Sequence, residues 1–257
     1  MNPTHMGVAL GIVLFIGMVV MIELGRLFGR RTKSDDASQT GRTAIGGAVY
    51  GLLALLIAFT FSGAATRFDS RRYLIVDEAN AIGTAYLRVD LLPPDVQLGL
   101  RDLFRRYVDS RIATYQTVAD MAAVQAELDR GIAIQGEIWR QGLAGCRRPE
   151  NPPATCNLLV PALNSMIDLN TTRTMGNKIH PPAIVFAMLL ALALITALLT
   201  GYDLSRAEKR DWVHVIGFSI ILSVTVYVIL DIEYPRLGFF RIDAIDEVML
   251  QLRASMK

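Results

Sequence analysis

Four long stretches without Asp, Glu, Lys or Arg constrain this chain more than any other feature. An α-helix needs about 20 apolar residues to cross the ~30 Å hydrocarbon core of a bilayer. Three of the stretches reach or approach that length. The first ends before Glu23 and is long enough only when flanking residues are included. The pattern therefore predicts four transmembrane helices, at about residues 6–24, 43–66, 181–201 and 212–230.

The first stretch also invites comparison with a cleaved signal peptide. Signal peptides begin with a positively charged segment, but no Lys or Arg precedes residue 6. The sequence from Glu23 to Arg26 is also a poor match to the small-x-small pattern of a cleavage site. We therefore expect this stretch to be retained as a membrane span.

Charge and residue counts exclude several functional classes. The 26 basic and 24 acidic residues nearly balance, so no broad basic surface for nucleic acid is expected. Three histidines and two cysteines are widely scattered, so neither a metal site nor another cofactor is expected. The central parts of the spans carry no charged residue, which disfavours ion-coupled transport. Since no zinc-protease, phosphate-loop or Ser/His/Asp signature occurs, we do not expect an enzyme.

The spans form two hairpins that flank a polar insert. The first hairpin covers residues 1–66, the insert residues 67–178 and the second hairpin residues 179–230. No Pro occurs from Thr43 to Leu92, so the second span is expected to continue as one rod that stops before Pro93 and Pro94. Strand signals are absent from the insert. The predicted fold class is an all-α membrane protein with a helical extramembrane domain between spans 2 and 3.

The remaining segments also carry helical patterns. Within the insert, Asp95 can cap one helix, and further helices are expected at about 119–143 and 158–177. Residues 231–257 are expected to form a turn followed by an amphipathic helix that packs on the extramembrane domain. The apolar stripe of that helix consists of Ile245, Val248, Met249, Leu252 and Met256.

Positive charges and two cysteines bear on the orientation in the membrane. The loop after the first span carries five Lys or Arg and the N-terminal tail carries none, which favours an insert on the outer side. When the Lys and Arg residues near every membrane end are counted, the side of the short loops has eight and the side of the insert has seven, which favours neither orientation. Cys146 and Cys156 can close as a disulfide in an oxidising compartment, which also favours the outer side. Two unpaired thiols in a surface loop are the alternative.

Three motifs resemble the bestrophins. Residues 53–72, LALLIAFTFSGAATRFDSRR, and residues 78–88, EANAIGTAYLR, are similar to the second-helix signature of that family. They resemble more closely the bacterial membrane proteins described as carrying a bestrophin-like domain. Residues 231–238, DIEYPRLG, are similar to the turn after the last bestrophin span, with Asp231, Glu233, Pro235 and Gly238 as its structural residues.

The resemblance implies a homopentamer in the bacterial inner membrane, with a central pore lined by the second helix and permeable to small anions such as chloride. If Arg67 and Phe68 match the Arg-aromatic pair of the family, the constriction maps to Gly51, Leu55 and Phe59. Two features depart from the family. Residues 68–73 replace its tryptophan-rich stretch, and the tail lacks its calcium-binding acidic residues, so no metal site is assigned. The family also places the insert in the cytosol, opposite to the periplasmic side that the charges favour.

Helix geometry supports the pore assignment in part. At 100° per residue, Leu55, Phe59, Ser62 and Thr66 lie within about 60° on one face. Two apolar rings followed by hydroxyl rings would form a dewetting gate that opens into a polar vestibule. The alternative is that the two apolar residues face lipid or another span. A non-conducting sensor or scaffold, whose insert binds a partner, is therefore the second functional hypothesis.

Several charged residues come after Thr66, where the long second helix is expected to leave the membrane. Arg67, Arg71 and Arg72 are candidates for positive charge at the pore mouth, because five copies around an axis would attract anions. Each can instead serve structure, by reaching lipid headgroups or by pairing with acids such as Asp231 and Glu233.

Overall fold

The structure is a computed structural model that describes residues 3–31, 36–116, 121–207, 210–234 and 243–257. Within these residues all regular structure is helical, which confirms the predicted all-α class. The eight α-helices are α1 Pro3–Arg31, α2 Asp36–Arg88, α3 Pro94–Gln116, α4 Met121–Cys146, α5 Pro153–Gly176, α6 Ala183–Asp203, α7 Trp212–Glu233 and α8 Asp243–Ser255.

Four helices, α1, α2, α6 and α7, are long and apolar enough to cross a membrane, as the sequence predicts. Their ends lie beyond the uncharged stretches, because charged residues are compatible with a helix that has left the hydrocarbon. Helix α1 continues to Arg31, and basic residues in a last turn interact favourably with the helix dipole. Helix α2 is one uninterrupted helix that ends at Arg88, and a 3-10 turn, Val89–Leu91, leads to Pro93.

The chain divides into two compact units. The first unit comprises Met1–Phe68 and His180–Phe240, and the second comprises Asp69–Ile179 and Arg241–Lys257. Helix α2 contributes residues to both units. Each unit has its own hydrophobic core, so each is described separately.

The first unit is held together by a close crossing of α1 and α6. A Cβ atom on Gly201 would lie 1.9 Å from the carbonyl oxygen of Ile22, and one on Gly25 would lie 2.0 Å from that of Leu198. These distances are far below van der Waals contact, so only glycine allows the two backbones to approach this closely. Buried side chains from α1, α2, α6 and α7 complete the core, among them Met18, Leu53, Ala64, Ala193 and Ile229.

The second unit is a helical bundle around a separate core. Its buried residues come from the end of α2 and from α3, α4, α5 and α8, and include Ile82, Phe104, Ile138, Leu163 and Met249. Helix α8 packs on α3, and the side chain of Leu252 lies 3.3 Å from where a Cβ on Gly83 of α2 would be. The side chain of Ile245, the first residue of the predicted stripe, lies outside the described residues. Met249 and Met256 are buried.

Candidate functional site

The predicted constriction residues lie on a face of α2 that the rest of the chain leaves uncovered. The exposed fractions of Leu55 and Phe59 are 52% and 68%, and, apart from its chain neighbours and the adjoining backbone of the same helix, no described atom lies within 4 Å of a Cβ built on Gly51. The opposite side of the helix is in the core, where Leu53 is 4% exposed and Ala64 is fully buried. Large apolar side chains are therefore presented to an environment other than this protomer's own core.

Ser62 and Thr66 continue the same exposed face toward the end of the first unit. The Thr66 hydroxyl donates a hydrogen bond to the carbonyl oxygen of Ser62 at 2.9 Å. A threonine that bonds back to its own helix in this way can sit in an apolar environment without an unsatisfied donor. The oxygen of that hydroxyl still presents a polar atom on the same face of the helix, seven residues beyond Phe59.

Arg67 is paired with a buried carboxylate. Its Nε and Nη2 atoms donate to Oε2 of Glu233 at 2.9 and 2.7 Å, and Nε also lies 3.1 Å from Oε1. The side chain of Glu233 is 0% exposed, while that of Arg67 is 31% exposed. His180 completes the cluster, because its Nδ1 lies 3.0 Å from Oε1 of the same carboxylate. We call these three residues the Glu233 junction.

The other two predicted cations have different surroundings. Arg71, in the second unit, is 5% exposed and donates to the carbonyl oxygens of Gly176 at 3.4 Å and Ile179 at 3.0 Å. The carbonyls at a helix C-terminus lack intrahelical donors, so this guanidinium serves the end of α5. Arg72 is exposed and forms an i,i−3 ion pair with Asp69 at 3.2 Å.

The predicted turn at 231–238 begins later than the sequence indicated. Helix α7 continues through Asp231 to Glu233, so both acids lie in its last turn. Acidic residues are unfavourable at a helix C-terminus unless they find partners. Here Asp231 accepts from the hydroxyl of Tyr227 at 3.1 Å, and Glu233 forms the junction with Arg67. Pro235 and Gly238 lie outside the described residues.

A second ion cluster, not recognised as such in the sequence, lies in the core of the second unit. Glu78 of α2 is fully buried, and its Oε1 accepts from Nε of Arg111 on α3 at 2.7 Å. Its other oxygen accepts from Arg173 on α5, and both arginines are only 2% exposed. The ring of Tyr115 lies 3.8 Å from the Arg173 guanidinium. We call Glu78, Arg111 and Arg173 the Glu78 cluster; it joins three helices.

Burial and charge around this cluster shift two pKa values. Burial raises the pKa of Tyr107 above its usual range, and the nearby Glu78 carboxylate adds to that effect. Burial opposes the charged form of Arg111, but the combined effects of Glu78, Tyr115 and Tyr107 outweigh it and raise the pKa of Arg111. Neutral Tyr107 is held by Gln135, whose Nε2 donates to the phenol oxygen at 2.8 Å. Arg111 is therefore charged and Tyr107 neutral, which fits a structural role for the cluster.

Cys146 and Cys156 are joined by a disulfide. The bond connects the last residue of α4 to the first turn of α5 across the Pro-containing loop between them. The described residues contain no group of His, Cys, Asp and Glu that could hold a metal ion.

The bestrophin-like domain model matches residues 12–245, which is more than half of the chain. No curated protein matches the sequence. The fold is similar to crystal structures of a bacterial bestrophin homolog from Klebsiella pneumoniae. A variant with a tyrosine replaced by alanine has a TM-score of 0.64 at 15% identity, covering 95% of this chain and 99% of that chain. A variant with a tryptophan replaced by alanine has a TM-score of 0.60 at 14% identity, covering 96% and 98%.

Proposed function

Because the chain belongs to the bestrophin-like family, we propose that it is an oligomeric ion channel whose pore is lined by α2. The observation that supports this proposal is the uncovered face of Gly51, Leu55 and Phe59. Copies of this face around a common axis would form two apolar rings. Such a constriction closes by excluding water, and the hydroxyl side chains of Ser62 and Thr66 would allow water to occupy the pore beyond it.

Ion flux from proteoliposomes tests this proposal. Phe59→Ala should increase leak, because it removes the bulkiest group from the constriction. Phe61→Ala is the matched control, since Phe61 is also an exposed aromatic but lies about 160° away around the helix. Equal effects of the two variants, or no effect of either, would contradict a constriction at Phe59 and favour the sensor or scaffold hypothesis.

We propose a homopentamer, which is the assembly that the family resemblance implies. The protein mass in a mild detergent, corrected for bound detergent, should correspond to five copies. A stable monomer or dimer, reproduced in lipid nanodiscs, contradicts the proposal because it lacks the shared axis that a pore requires.

We propose a small inorganic anion, such as chloride, as the permeant ion. This part of the proposal comes from the resemblance, and Arg67, Arg71 and Arg72 are its candidates on this chain. A chloride gradient across a planar bilayer gives the measurement, because the sign of the zero-current voltage separates anion from cation permeation. A zero-current voltage with the sign expected for cation permeation would contradict the proposed anion but not the proposed channel function.

We also propose that the second unit lies on the periplasmic side of the inner membrane. Its support is the Cys146–Cys156 disulfide, since such bonds persist in oxidising compartments and are rare in the cytosol. Reporter domains fused after Lys257 test it: alkaline phosphatase should be active there and green fluorescent protein dark. The reverse pattern would place the second unit in the cytosol.

A further inference from the structure

The Glu233 junction connects three segments of the first unit beside the candidate pore face. Glu233 belongs to the last turn of α7, Arg67 to α2, and His180 to the segment that leads into α6. The carboxylate is buried, so Arg67 and His180 contact it in place of water. A group shared in this way couples the position of α2 to the ends of two other helices.

The junction lies close to the proposed constriction along α2. Arg67 follows Phe59 by eight residues, which corresponds to about 12 Å along the helix axis. A bidentate pair between an arginine and a carboxylate fixes geometry as well as distance. The junction therefore restrains the rotation of α2 and, with it, the direction in which Phe59 points.

His180 is placed to change the strength of this restraint. Its ring stacks on Tyr234, with the ring centroids 4.6 Å apart, and its Nδ1 faces Glu233 of α7. Arg67 of α2 contacts the same carboxylate, with its Nη2 2.7 Å from Oε2. The ring remains 28% exposed, so protons can reach it.

Imidazole is the side chain that ordinarily changes charge between about pH 5 and 8. A neutral ring can already donate a hydrogen bond to the Glu233 carboxylate, whereas a protonated ring adds a full positive charge and turns that bond into an ion pair. Protonation would thus strengthen the tie between α7 and the start of α6. It would also draw Oε1 of Glu233 away from Nε of Arg67, because both donors share that oxygen.

We propose that His180 is a proton sensor that controls ion flux through the Glu233 junction. Protonation of its ring changes how the carboxylate holds Arg67, and so shifts α2 at the constriction. This inference rests on the channel function proposed above and adds its regulation by pH.

The test is ion flux from proteoliposomes with equal pH on both sides, at about pH 5 and about pH 8. Wild-type flux should differ by about fivefold between the two, the change expected when a hydrogen bond to a carboxylate becomes an ion pair. His180→Gln keeps a hydrogen-bond donor without the titration, so its flux should be independent of pH. The matched control is His214→Gln, because His214 is exposed, pairs with Asp211 at the start of α7, and should leave the pH response unchanged.

Either of two results would overturn the proposal: wild-type flux that is the same at both pH values, or His180→Gln with the wild-type response. An unchanged elution volume and melting temperature will establish that His180→Gln is folded. If the wild type conducts at neither pH, the channel function fails, and nuclear magnetic resonance of labelled histidines then tests the junction alone. The His180 signal should move in Glu233→Gln, and an unmoved signal would refute the contact itself.

Discussion

Replacing Glu78 with Gln should destabilise the second unit more than almost any other single substitution there. The Gln is nearly the same size but carries no charge, so Arg111 and Arg173 would remain as cations that are only 2% exposed. Removing one partner of a buried ion pair costs about 3–5 kcal/mol, because the buried charge loses the carboxylate that compensated it. The second unit is intermediate in size between the domains that lose about 4–8 °C and those that lose about 2–4 °C per kcal/mol, so at about 4 °C per kcal/mol its melting temperature should fall by roughly 15 °C.

Tryptophan fluorescence can follow this unit selectively. The chain contains two tryptophans: Trp139 packs against the core of the second unit, and Trp212 belongs to the first. In a Trp212→Phe background, the thermal transition therefore reports on the second unit. Asp77→Asn is the matched control, since the neighbouring carboxylate is exposed and its loss should change stability by no more than about 0.5 kcal/mol.

The double variant Glu78→Gln/Arg111→Met separates charge from packing. Removing one of the two cations should recover part of the lost stability, because burying an apolar chain costs less than burying a guanidinium that has lost its carboxylate. A melting temperature of Glu78→Gln within about 2 °C of the control, which is less than about 1 kcal/mol, would show that the cluster contributes little to stability. A double variant that is less stable than the single one would contradict the expected recovery.

Three further outcomes are expected. Gly201→Ala should greatly lower the yield of folded protein, because its Cβ would lie 1.9 Å from the Ile22 carbonyl oxygen, whereas Gly217→Ala, with no described atom within 4 Å, should express normally. Tyr107→Phe should leave the tyrosinate absorbance of the folded protein unchanged up to about pH 11, since burial raises the Tyr107 pKa above its usual range. Because the pKa of Tyr107 is higher in the folded protein than in the unfolded one, the stability that Tyr107 contributes is complete below about pH 10 and is lost as pH rises further. A reducing agent should lower the melting temperature of wild type but not of Cys146→Ser, because opening the short disulfide loop costs about 2.5 kcal/mol.

The features that depend on local sequence pattern could be predicted from the sequence. Four uncharged stretches predicted four apolar helices, and Pro93 and Pro94 predicted the end of the long second helix to within a few residues. Helix ends were less accurate, because a helix continues past the apolar stretch wherever its charged residues find water or partners. The all-α class needed only the 3.6-residue periodicity and the absence of strand signals.

The ion clusters escaped prediction because their members are far apart in sequence. Arg67 and Glu233 are 166 residues apart, and Glu78 and Arg173 are 95 apart, so no local spacing connects them. One signal was nevertheless present. Glu78 interrupts the apolar stripe of Ile75 and Ile82 on α2, and a charged residue on a buried face requires a partner.

These clusters change the expected role of Arg67 in the proposed pore. Counting charges makes it an attractor of anions, but its guanidinium forms a bidentate pair with Glu233, and a paired charge contributes little to the potential felt at a distance. Arg67→Gln should therefore reduce stability or alter flux, because Glu233 loses its main partner. The zero-current voltage in a chloride gradient should stay at the wild-type value. A shift of that voltage toward cation permeation would show that permeating ions sense the charge of Arg67 despite its pairing, and that the junction serves selectivity as well as architecture.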